Sequence, residues 1–305
     1  MFYYLTNSEL NKTSAVIGFG GPDANTYLQG QFTQEINRPG RSVGYGLFLN
    51  QKGKVVADGH LLRLENDGFW LISHSSPAPK LRERLEAYII ADEVDMEDRT
   101  SLWARIRLWG DEAGSIVAKV IGMAPEPGFW VEARSIRAFC GRCARADNFE
   151  LILPHDMVSE IGAELVSLGG LEATDEVAER ARIVSGIPSV PADIGLNDLP
   201  NEGGLDEVAI SYTKGCYLGQ EVMARLKNLG QVRRRLHVVR GAGLPLAPGT
   251  PLFQEDKRVG DLRSAARDGE GFVAMAMLSL VTLNPSMGLS LIPNGPTVIS
   301  IIRRV

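Results

Sequence analysis

The chain has 305 residues, 44% hydrophobic and 23% charged, with a net charge of −5 and a pI near 5.5. These values fit a soluble globular protein of two or three domains. They argue against a broad nucleic-acid surface, because neutralising phosphates needs a basic excess; the three cysteines argue against a disulfide framework and for a reducing compartment.

Met1–Leu5 lacks the basic start and long apolar core of a signal peptide. No segment has an uninterrupted membrane-spanning length, so a cytoplasmic location is expected. Ala15 to Phe19 reads as a strand, and Pro22 suits the first turn of a helix running to about Gln29. Tyr45–Leu49 and Val55–Leu64 form a hairpin around Asn50-Gln51-Lys52-Gly53, and Phe69–Ser73 is a further strand. Pro79 opens a helix in which Leu81, Leu85 and Ile89 share a face.

The theme then repeats. Leu102, Ala104, Ile106 and Leu108 alternate along one strand face, and Asp111–Ile121 reads as a helix. Trp130–Phe139 and Phe149–Leu153 read as strands, and His155–Leu168 as a helix ended by Gly169-Gly170. Strand–helix–strand–strand–helix is the split βαβ, ferredoxin-like order. It occurs about twice, and no G-x-G-x-x-G follows a strand as dinucleotide binding requires. Thr174–Ser185 is a further helix with Val177, Ala181 and Val184 facing inward. Residues 186 to 213 are rich in Pro, Gly, Asn and Asp, and a loop this long inside a folded chain points to a pocket-forming role. After Gly230 the pattern is all-β, punctuated by Gly and Pro as in a small barrel. The predicted fold class is therefore α+β.

Lys214-Gly215-Cys216-Tyr217-Leu218-Gly219-Gln220-Glu221 is the most informative stretch. Leu218, Val222 and Leu226 recur every four residues, which predicts a helix from Leu218 to about Asn228 stopped by Gly230. Cys216 then stands at the helix N-terminus, where unpaired N–H groups and the dipole favour a thiolate. A small residue in a tight loop-to-helix joint is the plainer reading. Cys140-Gly141-Arg142-Cys143 is a lone C-x-x-C with no second pair or nearby His, better read as a turn between strands than as a metal or redox site. His60, His74, His155 and His237 are scattered and read as structural.

This octapeptide resembles the signature of the YgfZ family, folate-binding proteins related to the aminomethyltransferase of the glycine cleavage system and implicated in assembly or repair of iron–sulfur enzymes, including those used in tRNA modification. Further matching motifs are Pro22–Gln31, Leu49–Val55, Arg182–Pro188, Leu199–Leu205 and Met223-Ala224-Arg225. The resemblance implies two intertwined ferredoxin-like domains over residues 1–231 and a small β-barrel over 232–305, arranged around a central folate pocket. It implies tetrahydrofolate or a one-carbon derivative as cofactor, and iron–sulfur client or assembly proteins as partners, without nucleic acid, membrane or resident metal.

By the same resemblance Glu202 fixes the pterin, since a carboxylate can accept the paired donors of an aminopyrimidine edge. Lys214, Tyr217, Gln220 and Arg225 join it as binding residues. The run Arg225, Lys227, Arg233, Arg234, Arg235 is a solvated face and strand start, or else an anion site for the glutamate tail. Cys216 is the candidate reactive thiol. A single thiol cannot hold a cluster alone, so any cluster contact would be transient or shared with a partner. Aminomethyltransferases carry G-G-x-x-D-D where this chain has Gly53-Lys54-Val55-Val56-Ala57-Asp58. One aspartate is missing, and Asp58 faces the opposite side of the strand from Ala57. That departure favours the accessory role over the aminomethyltransferase alternative, with Asp58 the residual catalytic candidate. A vestigial pocket on an interaction scaffold is the third class.

Overall fold

Three sheets carry the structure, which the computed structural model describes over residues 1–6, 14–65, 68–145 and 147–305. The first strand, β1 (Tyr3–Leu5), joins the second sheet rather than the first. The first sheet is β2 (Ala15–Gly20), β3 (Val43–Leu49), β4 (Val55–Arg63), β5 (Phe69–Ser73) and β6 (Asp95–Asp98), in the antiparallel order β3-β4-β5-β2-β6. The second comprises β7 (Trp103–Trp109), β8 (Trp130–Ala133), β9 (Ile136–Cys140), β10 (Asn148–Pro154) and β11 (Leu171–Glu172), with β1 inserted, in the order β11-β1-β7-β10-β9-β8. Most of the hairpins and helices expected from the sequence are present, within one to three residues at their ends.

The period of two along each strand sorts its residues between two cores. Ala57, Leu61 and Leu71 of the first sheet pack with Leu28 of α1 (Ala24–Gln31) and Leu81 and Leu85 of α2 (Ala78–Glu86). Ile106, Leu108 and Leu151 of the second pack with Val117 of α3 (Ala113–Ile121) and Ile161 of α4 (Val158–Ser167). The opposite faces meet: Val16, Leu62, Trp70 and Ile72 pack on Trp130, Phe139 and Ile152. The two sheets are thus stacked face to face, with helices outside.

The third sheet contains β12 (Arg234–Ala242), β13 (Pro251–Gln254), β14 (Lys257–Asp268), β15 (Gly271–Ser279) and β16 (Ile299–Arg304), ordered β13-β14-β15-β12-β16. Ladders do not close this sheet into a barrel among the described residues. Leu289 and Ser290 make single bridges to Ile299 and Phe253, on the two edge strands. In the C-terminal stretch read as all-β, residues 289–290 contribute only these single bridges. One core joins this sheet to the rest: Leu236, Val238, Met275 and Met277 pack with Leu47, Val55, Ile183, Leu205 and Met223.

Several expectations are corrected. Residues 130–139 are not one strand but a hairpin, because Arg134 and Ser135 both take positive φ, the geometry of a two-residue turn whose twist suits paired strands. Leu102 lies outside β7 and is exposed. On α5 (Asp175–Ser185), capped by Thr174, the buried residues are Ala178, Arg182 and Ile183, whereas Val177 and Val184 are exposed. The loop at 186–213 contains a 3-10 turn at Pro200–Gly203 and the short helix α6 (Leu205–Ala209). No helix among the described residues is long and apolar enough to cross a membrane.

A candidate site between the stacked sheets

Where the apolar packing of the two sheets ends, their polar residues enclose a cavity of about 60 Å³. Asp58 reaches it because Ala57 takes the helix side of β4. Arg105 and Arg107 reach it because Ile106 and Leu108 take the helix side of β7. Glu150 of β10 and Arg142 and Cys143 from the β9–β10 connection complete that wall. Glu179 and Arg182 of α5 and residues 187–190 close the third side.

Asp58 is buried, its Oδ2 accepting the Tyr45 hydroxyl at 2.7 Å while Oδ1 has no partner among the described residues. Burial pushes its pKa up to about 6, against the opposing pull of the Tyr45 hydrogen bond and of Arg142. Arg142 lies with its guanidinium carbon 4.1 Å over the Tyr45 ring. Glu150 is 3.6 Å from Arg105, and burial raises its pKa.

Two histidines read as structural are brought together here. His60 Nδ1 and His74 Nε2 are 2.8 Å apart, and Arg105 contacts His74 Nδ1. A guanidinium only donates, so His74 Nδ1 accepts, His74 Nε2–H donates to His60 Nδ1, and the hydrogen of His60 sits on Nε2. Burial and the adjacent arginines pull His60 down to about 3 and His74 well below its usual value, so both rings are neutral. Strand alternation places His60 on the Asp58 face; no sequence signal places His74.

The loop at 186–198 is pinned by buried charge. Asp193 accepts from Arg182 at 2.6 Å, from Ser264 of β14 at 2.6 Å and from the Ser189 amide at 2.8 Å. Arg182 also pairs with Glu179 and donates to Ser264.

Most of the residues predicted for a pocket lie elsewhere. Glu202 is absent from the cavity lining; its carboxylate accepts from the Leu199 amide at 2.7 Å and from Arg234 Nε at 2.7 Å. Arg234 also pairs with Asp198, and Arg235 donates to the Asn201 and Val305 carbonyls, so these arginines are internal ties rather than a tail-binding patch. Lys214 is buried and donates to the Phe32 and Gln34 carbonyls at 2.7 and 2.8 Å; burial lowers its pKa to about 8. Tyr217 is buried with its hydroxyl unpartnered among the described residues, and Arg225 is exposed.

Gln220 begins α7 (Gln220–Leu229), so Cys216 is four residues before the helix, exposed, and not at its N-terminus. The first turn cannot extend back because Gly219 takes positive φ as the N-cap and packs against the Asn50 carbonyl, where a Cβ would stand 2.8 Å away. Gly53, also at positive φ, likewise abuts Val222. The 50–53 turn and the cysteine segment are therefore in contact, and Leu218 donates to the Gly30 carbonyl at the end of α1. Cys140 and Cys143 flank the β9–β10 connection as expected of a turn; burial raises both pKa values, Cys143 to about 12, the reverse of a reactive pair.

A family model described as the GCVT N-terminal domain matches residues 12–214. The chain is 30% identical to the human mitochondrial iron-sulfur cluster assembly factor IBA57, over 85% of this chain and 73% of that protein. It is 26% identical to the tRNA-modifying protein YgfZ of Photobacterium profundum, over 72% of this chain and 66% of that protein. Among solved structures, the glycine cleavage system aminomethyltransferase T from Bartonella henselae superposes with a TM-score of 0.83 at 17% identity, covering 98% of this chain and 84% of that one.

Proposed function

The chain belongs to the GCVT N-terminal domain family, and on that premise we propose that it is a tetrahydrofolate-binding accessory protein for assembly or repair of iron–sulfur enzymes, including those used in tRNA modification. The breadth of its likeness to the human assembly factor carries this reading. The exposed thiol of Cys216 supports it, since a residue that meets a client protein must reach the surface. The two stacked sheets, and the third sheet with its bridging segment, support the arrangement of two ferredoxin-like domains and a C-terminal barrel. Three free thiols suit a reducing compartment, which we take to be the cytoplasm.

Tetrahydrofolate fits the chemistry of the inter-sheet cavity better than its present size. Asp58 offers a buried, unpartnered carboxylate oxygen to the aminopyrimidine edge, and Tyr45 an aromatic wall. The 60 Å³ available holds about two waters, at roughly 30 Å³ each. We therefore assign the pterin contact to Asp58 in place of Glu202.

A second reading, folate-dependent aminomethyl transfer, is favoured by one observation: of the 57–58 pair, the side chain retained here is the one that lines the cavity. One-carbon transfer from a lipoylated carrier is the assay that separates the two. For the accessory reading, titration with tetrahydrofolate should give saturable binding that Asp58→Asn weakens more than tenfold, about 1.4 kcal/mol. In cells lacking the protein, Cys216→Ser should bind folate normally yet fail to restore iron–sulfur enzyme activity. Full rescue by that variant sinks the accessory reading.

A further inference from the structure

We propose that the inter-sheet cavity is a binding site for a small carboxylate, held between Arg107, Arg142 and the edge of Asp58. The inference rests on the cavity alone and not on the folate reading. Four guanidinium groups and three carboxylates line it. Arg182 is already answered by Glu179 and by Asp193, which stands behind it outside the lining. Arg105 is engaged by Glu150 and His74. Arg107 remains: one of its terminal nitrogens is buried with no hydrogen-bond partner among the described residues, while Arg142 beside it lies over Tyr45 and within the field of Asp58. A buried unpaired donor destabilises the fold, and an anion arriving at that nitrogen relieves the cost.

Size and shape narrow the class. Room for about two waters accommodates an anion of about three heavy atoms, the size of formate. A guanidinium presents two parallel N–H groups that match a planar carboxylate. When protonated, Asp58 has a donor for the same ligand at its free oxygen; when ionised, it repels it.

The sign of the pH dependence follows. Facing Asp58 are Tyr45 from β3, His60 from its own strand and His74 beyond β5. Arg105, Arg107 and Glu150 face it from the second sheet, with Arg142 and Cys143 from the connection and Glu179 and Arg182 from α5. The two imidazoles stay neutral in the physiological range, and Cys143 stays a thiol. Asp58 takes up its proton near pH 6, and Glu150 is also shifted upward, so both carboxylates change in the direction that favours an anion as pH falls.

Formate, which remains ionised above pH 5, is the probe. Calorimetric titration at constant chloride should show saturable formate binding to the full-length protein that tightens roughly tenfold between pH 7.5 and 5.5. Arg107→Met and Arg142→Met should each weaken it at least tenfold. Asp58→Asn should bind formate with little pH dependence, a readout available even if an arginine variant misfolds. Absence of saturable formate binding, preference for phosphate over formate, or equal affinity in folded arginine variants overturns the proposal. A parallel titration with tetrahydrofolate in carboxylate-free buffer tests the other reading separately, since either ligand can bind while the other fails.

Discussion

Asp58 stores a measurable penalty. Its carboxyl titrates near 6 in the fold against an ordinary 3.8, so the native state holds its proton more tightly than the unfolded chain. The stabilisation this provides is complete below about pH 4 and is lost as pH rises through about 6. At neutral pH the ionised form therefore costs on the order of 3 kcal/mol. Asp58→Asn removes the titration and keeps an acceptor for Tyr45. In denaturant unfolding the variant should be the more stable protein at pH 7.5, by up to about 3 kcal/mol, with the gap closing below about pH 4. A gap independent of pH would contradict the assignment. Alternation along β4 was enough to predict from sequence that Asp58 and Ala57 face opposite ways. That Asp58 faces the second sheet required the stacking, and the pairing of His60 with His74, 14 residues away and just beyond the next strand, left no local mark.

At the scale of elements, α5 shows what periodicity can and cannot decide. Its span was legible to within one residue, Thr174 standing as the cap rather than in the first turn. Its inward face was not, because a stripe of Val177, Ala181 and Val184 looks apolar while the residues that turn inward are Ala178, Ile183 and a charged one, Arg182. Apolar periodicity scores a buried arginine as solvent-facing, and its partners, Asp193 and Ser264, are remote in sequence. Arg182→Met should cost about 3–5 kcal/mol by leaving Asp193 uncompensated, whereas Val177→Ser should change unfolding free energy by less than about 0.5 kcal/mol. The turn at 50–53 makes a second case. Gly53→Ala meets both a positive φ and Val222, and should cost about 1–3 kcal/mol, seen as a lower denaturant midpoint. The cysteine motif was recognisable as a sequence, but its helix begins late because of a backbone contact with this turn, which no helical pattern encodes.

Across the whole molecule, the third sheet shares its core with the β3–β4 hairpin, α5, α6 and α7. If a boundary falls near 232, as the sequence suggests, this shared core predicts that it divides architecture more than stability. Full-length protein should unfold in one cooperative transition, and a fragment ending at 231 should bind a hydrophobic dye and lack fixed near-ultraviolet dichroism. A fragment with native-like dichroism would show that the first two sheets stand alone. Turn residues and alternation separated most strands into three runs, but not the edge pieces β6 and β11 or β1, which crosses into the second sheet. Which groups share a core was not readable, since contacts such as Leu205 with Leu236 join segments that no local pattern links.

The relay from Arg105 through His74 to His60 has only one direction. A group that cannot accept fixes the orientation of every member after it, so the terminal imidazole presents N–H and never a lone pair. His60 is buried and outside the cavity lining, so the neighbour its N–H suits is an acceptor supplied by the fold itself.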